Sequence, residues 1–398
     1  MDIRRVPLWE SRNATYMSND LVRVVIEDQG DVTLELSTQN VQGGRVNALC
    51  LPYFRGIGQG VNSDPNYDWY KGKSRFYQAG GIYITFPSSD EEHILAGNTY
   101  WIVRRYGSDS DFGGVWRLSE MKSREEGNRY RIRKIDLLVP GHPVLYTFAR
   151  IDNLGESELE CNLSVHSMLG SPFIESGSSF YTSSGNFISF PPNVREVAFN
   201  RLKAGKTFSD LRHAPSAKDT TMDASYIPGP TGTYDYIMGN IDRKNDIGWS
   251  CVINPRQQLI YMTFFPSTSS RLGDEFIRFP RVDFAMNYCG RMDSPWALYD
   301  GATPEVFSLT TGFGLMDSHG ELEGDDRFSI PVGGSRCLLS GQAFTSYDNP
   351  RIGSGFYSMD KSEHGLVLKR TKSYAYIQCD YEFRILRALA DRVLNDSE

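Results

Sequence analysis

Between Leu21 and Thr345 the apolar residues fall into short runs of β-branched and aromatic side chains, closely punctuated by Gly, Pro, Asn and Asp. Such punctuation leaves no room for helices and dictates strands joined by turns. Leu21 to Ile26 and Val32 to Leu36 flank a Glu27–Asp31 turn segment as a hairpin, and Arg45 to Leu49 follows as a third strand. Tyr100–Tyr106, Val115–Met121, Tyr130–Val139 and Val144–Ile151 continue the series, which resumes after a Ser-, Gly- and Pro-rich stretch from Gly170 to Thr233. The later strands are Trp249–Ile253, Leu259–Phe265, Phe276–Met286, Val306–Leu309 and Arg336–Thr345. Helical periodicity is confined to the end, where Phe383, Leu386, Leu389, Ala390 and Val393 share one face. That spacing predicts a helix over 380–394 with Asp380 as its cap. The fold class is therefore all-β with a C-terminal helix packed on a sandwich.

The segment from Gly141 to Phe173 reads as strand, turn, strand. Asp152-Asn153-Leu154-Gly155 supplies the turn. Leu159, Cys161, Leu163 and Val165 then alternate with Glu158, Glu160, Asn162, Ser164 and His166, which sets His166 on the polar face. Imidazole titrates near neutrality and suits a general acid or base. His142, His213, His319 and His364 lie in turn-like contexts instead.

Charge excludes one class of partner. A net charge of −7 provides no basic footprint for a phosphate backbone, so nucleic acid is not expected. The absence of a long apolar span argues against a membrane, and the N-terminal MDIRRVPLWESRN lacks the apolar core of a secretory leader. A cytoplasmic location is the expectation. Six cysteines without a C-x-x-C pair fit buried thiols rather than a zinc site or a disulfide framework. No metal and no cofactor are expected.

Three patterns together carry a resemblance. The first is Arg150-Ile-Asp-Asn153 followed by Val165-His166-Ser-Met-Leu-Gly170. Gly80-Gly81-Ile-Tyr-Ile-Thr-Phe86-Pro87, followed by His93 to Trp101, is the second, and Pro230-Thr-Gly-Thr-Tyr-Asp235 is the third. From about Met17 to Asp348 the chain resembles the galactose mutarotase-like (aldose 1-epimerase) superfamily, as a divergent member. The resemblance implies one large antiparallel β-supersandwich over residues 1–398, with a small-molecule carbohydrate bound on a concave sheet face. It implies that His166 protonates the sugar ring oxygen. Asp235 is similar to a sugar-hydroxyl acceptor of some members, and His93 stands three residues from Ala96, which occupies the place of a second histidine.

Where the resemblance calls for a glutamate base the chain has Thr310, whose hydroxyl cannot accept a proton at neutral pH as a carboxylate does. Glu305, five residues earlier, falls on the opposite face by strand periodicity. Arg55, after an aromatic pair, is a candidate for sugar hydroxyls, and Tyr83, Trp101 and Trp249 for the apolar side of a pyranose. Two functions follow as alternatives. One is an enzyme acting at or near the anomeric carbon, an epimerase or a related isomerase or lyase. The other is a carbohydrate-binding or regulatory protein that kept the fold without the catalysis.

Overall fold

The computed structural model describes residues 1–7, 13–50, 80–87, 100–123, 129–191, 199–290, 307–315, 327–347, 358–369 and 374–395. Two large antiparallel sheets dominate. The first has twelve strands, and its central run is Val32–Gln39, Gly81–Thr85, Ser164–Gly170, Phe307–Gly314, Arg281–Tyr288, Thr233–Ile241 and Ser184–Ser189. The second has eight, in the order Ser179–Thr182, Ile247–Asn254, Leu259–Pro266, Ser335–Ser346, Val144–Asn153, Tyr130–Leu138, Val115–Lys122 and Ile102–Ser108.

Strand alternation divides the core. In Val144–Asn153, Leu145, Ala149 and Ile151 join one apolar cluster with Val165, Val282, Phe284 and Phe313 of the larger sheet. Tyr146 and Phe148 point the other way, into a second cluster. There Leu366, Leu368 and Ile377 of a three-stranded sheet (Ser358–Ser362, Gly365–Lys369, Tyr374–Gln378) pack with Leu386, Leu389 and Val393 of the C-terminal helix. The eight-stranded sheet is thus covered on both faces. This explains its strands of unbroken burial, Ile247–Asn254 and Leu259–Pro266.

The helix begins at Arg384, four residues later than its sequence periodicity suggests. Phe383 sits at φ 56°, outside helical geometry, while the Asp380 carboxylate still accepts a hydrogen bond from Ile385 N at 2.7 Å. The predicted apolar face, Phe383, Leu386, Leu389, Ala390 and Val393, is buried throughout.

The segment from Gly141 to Phe173 departs from the predicted strand pair. Asn153 makes the turn, with its side chain donating to Ser157 O and accepting from Gly155 N. The chain then leaves the eight-stranded sheet. Leu159–Cys161 pairs with Phe328–Ile330 in a small separate sheet, and only Ser164–Gly170 enters the twelve-stranded one. An alternating pattern fixes which side chains face the core, not which sheet supplies the partner.

A buried charge cluster ties the sheets together at one end. Arg117, fully buried on the smaller sheet, reaches Asp31, Asp136 at 3.2 Å and Asp28 at 3.5 Å. Lys134 lies 2.9 Å from Asp31 and 3.3 Å from Asp136. Burial would push Arg117 down, yet the three carboxylates hold its pKa above the ordinary value. None of the six cysteines forms a disulfide, and four of them are buried.

Candidate active site

Across the middle of the twelve-stranded sheet, one row of paired residues runs Tyr83, His166, Gly312, Asp283, Met238 and Ile188. Directly paired residues share a face, so their side chains all project away from Val165, Phe313 and the core between the sheets. The row therefore puts an imidazole and a carboxylate on one face, with only a glycine between them.

His166 is partly exposed and held on both sides. Its Nδ1 lies 3.4 Å from the Tyr83 hydroxyl and its Nε2 lies 3.2 Å from Ser164 Oγ. The Tyr83 ring meets the imidazole edge-on at a centroid distance of 5.5 Å. Ser164 Oγ is in turn hydrogen-bonded to Thr85 Oγ1. Hydroxyls donate or accept, so either imidazole nitrogen can carry the proton.

Asp283 is 3% exposed. Its Oδ2 accepts a hydrogen bond from the Tyr236 hydroxyl at 2.9 Å, whereas Oδ1 has no hydrogen-bond partner among the described residues. A buried carboxylate oxygen without a partner is costly and calls for an explanation. Burial raises the Asp283 pKa above the ordinary carboxylate value, although the neighbouring His166 and the Tyr236 hydroxyl pull it down.

Gly312 makes the approach possible. A Cβ at this position would sit 1.9 Å from Asp283 Oδ1 and 2.8 Å from His166 Cδ2. The imidazole and the carboxylate converge over the space that any other residue would fill.

Of the residues singled out from sequence, the structure brings Tyr83 to His166. Asp235 is adjacent in sequence to Tyr236 and, by strand alternation, points to the opposite face. It is fully buried and accepts from Arg201 N at 2.8 Å, Leu202 N at 2.9 Å and Arg201 Nε at 2.5 Å. Its role is to anchor the Arg201–Leu202 loop. Trp249 belongs to the eight-stranded sheet and packs in the cluster under the C-terminal helix, because that sheet offers no free face. Trp101 is 4% exposed and lies in the main core. Arg55 and His93, with Ala96 and Glu305, lie outside the described residues. Thr310 is buried and pairs with Met168 and Ala285, one step along the same face from Gly312.

Gly80 and Gly81 both have positive φ, 114° and 75°, but the close approach they permit is to protein. A Cβ on Gly81 would lie 2.4 Å from Thr33 O of the adjacent strand. Sequence reasoning missed Asp283, Tyr236 and Gly312. The signal was there: an aspartate in the middle of the apolar run Arg281-Val-Asp-Phe-Ala-Met-Asn-Tyr288, and a glycine inside a strand.

Two large antiparallel sheets packed face to face give the supersandwich architecture also seen in galactose mutarotase-like proteins. Solved structures bear this out as a likeness of fold. A candidate aldose 1-epimerase from Klebsiella pneumoniae superposes with TM-score 0.56 at 13% identity, over 86% of this chain and 83% of that one. A galactose mutarotase-like protein from Clostridium acetobutylicum gives 0.54 at 10% identity, over 87% and 98%. A TPR-domain containing protein from Parabacteroides distasonis gives 0.55 at 13% identity, over 97% of this chain and 55% of that one. No family model and no curated protein matches the sequence.

Proposed function

We propose that this protein is an enzyme acting at or near the anomeric carbon of a sugar, with His166 as the proton donor and Asp283 as the proton acceptor. The observation that carries the reading is the convergence of His166 and the unpartnered Asp283 Oδ1 over Gly312. The two oxygens of an anomeric centre sit on the same carbon. Groups that serve both must be close neighbours, as these two are.

In the proposed step Asp283 takes the proton of the anomeric hydroxyl. The bond between the anomeric carbon and the ring oxygen breaks, its electron pair passes to that oxygen, and His166 protonates it. The open aldehyde rotates and recloses on its other face: the former ring oxygen attacks the carbonyl carbon and gives its proton back to His166, while Asp283 returns its proton to the carbonyl oxygen, which becomes the new anomeric hydroxyl. A raised carboxylate pKa makes Asp283 a stronger base than an exposed aspartate, and each positioned proton transfer contributes ~10²–10⁴-fold. The names of the Klebsiella and Clostridium proteins agree with this chemistry, and cysteines without disulfides agree with a cytoplasmic setting.

The competing reading, sugar binding without turnover, draws on the buried Thr310 in place of the expected glutamate. Anomer exchange followed by NMR over a panel of aldoses, ketosugars and sugar acids separates the two. Turnover lost in both His166→Ala and Asp283→Asn supports the enzyme. Saturable binding without exchange supports the binding protein.

A further inference from the structure

We propose that Tyr236 is a positioning residue that presents Asp283 Oδ1 to the substrate, an inference that rests on the assignment of Asp283 as proton acceptor. Tyr236 lies on Thr233–Ile241, next to the strand of Asp283, and is paired in register with Ala285, two residues along that strand. Its hydroxyl spans the step and donates to Oδ2 at 2.9 Å. One carboxylate oxygen is thereby fixed, and the other is left to point across Gly312 toward His166. Without that bond the carboxylate is free to rotate about its Cβ–Cγ axis, where rotation is soft. Oδ1 would then leave the space over Gly312.

The phenol is suited to this task because burial, and then Asp283 itself, hold it protonated far above the ordinary tyrosine range. It therefore remains a donor through neutral pH. Among the described residues the backbone N–H groups of Gly312 and of Asp283 itself also favour the charged carboxyl, and the side chains facing it are few. His166 approaches from the far side of Phe307–Gly314, and Tyr236 from Thr233–Ile241 with Tyr234 beside it. On its own strand Arg281 is committed to Asn240 Oδ1 at 3.2 Å and Leu315 O at 3.0 Å. Tyr236 is thus the side-chain hydroxyl that donates to Asp283 and, after burial and the nearby His166, helps set how readily it ionises.

Tyr236→Phe in the full chain is the test, with two readouts. The first is the titration of Asp283, followed by carbon-13 NMR of carboxyl-labelled aspartate and assigned with Asp283→Asn. Loss of a hydrogen bond to the charged form is expected to move it upward by about one pH unit. The second is the pH profile of anomer exchange, whose acid limb is expected to move upward with it, while kcat falls roughly ten- to hundredfold and KM stays near wild type. Site-specific replacement of Tyr236 by 3-fluorotyrosine, a stronger donor of nearly the same shape, is expected to shift the titration downward. That second variant keeps the test decisive if Tyr236→Phe folds poorly. An Asp283 titration unmoved in both variants overturns the positioning role. Wild-type protein without exchange activity overturns the enzyme assignment instead, and the titration still reports on Tyr236.

Discussion

Replacing Gly312 by alanine adds one methyl group at the point where His166 and Asp283 meet. That methyl would begin 1.9 Å from Asp283 Oδ1 and 3.0 Å from its Cγ. To reach ordinary contact the oxygen must retreat by about 1.5 Å. The retreat is opposed by the Tyr236 hydrogen bond at 2.9 Å, so it is made by turning the carboxylate away from His166. A misplacement of this size costs on the order of 10²-fold in rate, or about 2.7 kcal/mol of barrier. Overpacking costs ~1–3 kcal/mol of stability besides. Gly107→Ala is the control, since the nearest atom to its Cβ is 3.8 Å away, on the other sheet. The assay is anomer exchange by NMR on both variants, with folding checked by circular dichroism and thermal melting. A folded Gly312→Ala protein with wild-type kcat/KM would refute the claim that these two residues act together over this position.

Asp283→Asn is expected to abolish exchange and yet stabilise the protein at neutral pH. The folded carboxyl pKa is raised by burial, so ionisation costs stability at any pH above the unfolded value of ~3.9. The gain in Tm should grow through the window between that value and the folded one, and vanish below it. A variant less stable than wild type at pH 7 contradicts the assignment. Arg117→Met leaves Asp28, Asp31 and Asp136 without their shared cation and is expected to cost ~3–5 kcal/mol in urea denaturation; a loss below 1 kcal/mol, roughly that of a surface pair, would mean the cluster holds nothing together. Asp380→Ala removes the acceptor of Ile385 N and should cost about 1 kcal/mol without changing exchange kinetics.

The all-β class was legible because turn residues punctuate the chain and short β-branched runs fill the gaps. The terminal helix was legible from one apolar stripe. Pairing was less so. Leu159 to His166 alternates without a break, yet the strand changes sheets at Asn162 and Leu163, and no local pattern encodes that change. His166 was visible because its own strand alternates cleanly. Its partner was not, since Asp283 lies 117 positions further along the sequence and reaches it across a strand that comes later still. Trp249 and Asp235 misled for a related reason. Aromatic and acidic residues in strands take their meaning from which face is free: Trp249 packs under the C-terminal helix, and Asp235, on the twelve-stranded sheet, faces away from His166 and Asp283.

The strand Phe307–Gly314 lies between Ser164–Gly170 and Arg281–Tyr288, so the His166–Asp283 pair has no floor until residue 314 has been made. The eight-stranded sheet waits longer, for the helix that ends at Asn395. During synthesis a ribosome must hold most of this chain as unclosed sheets, with apolar faces bare and strand edges unpaired. Such a topology folds slowly because its contacts are distant in sequence. Its yield on expression is accordingly expected to depend on temperature and translation rate more than its final stability would suggest.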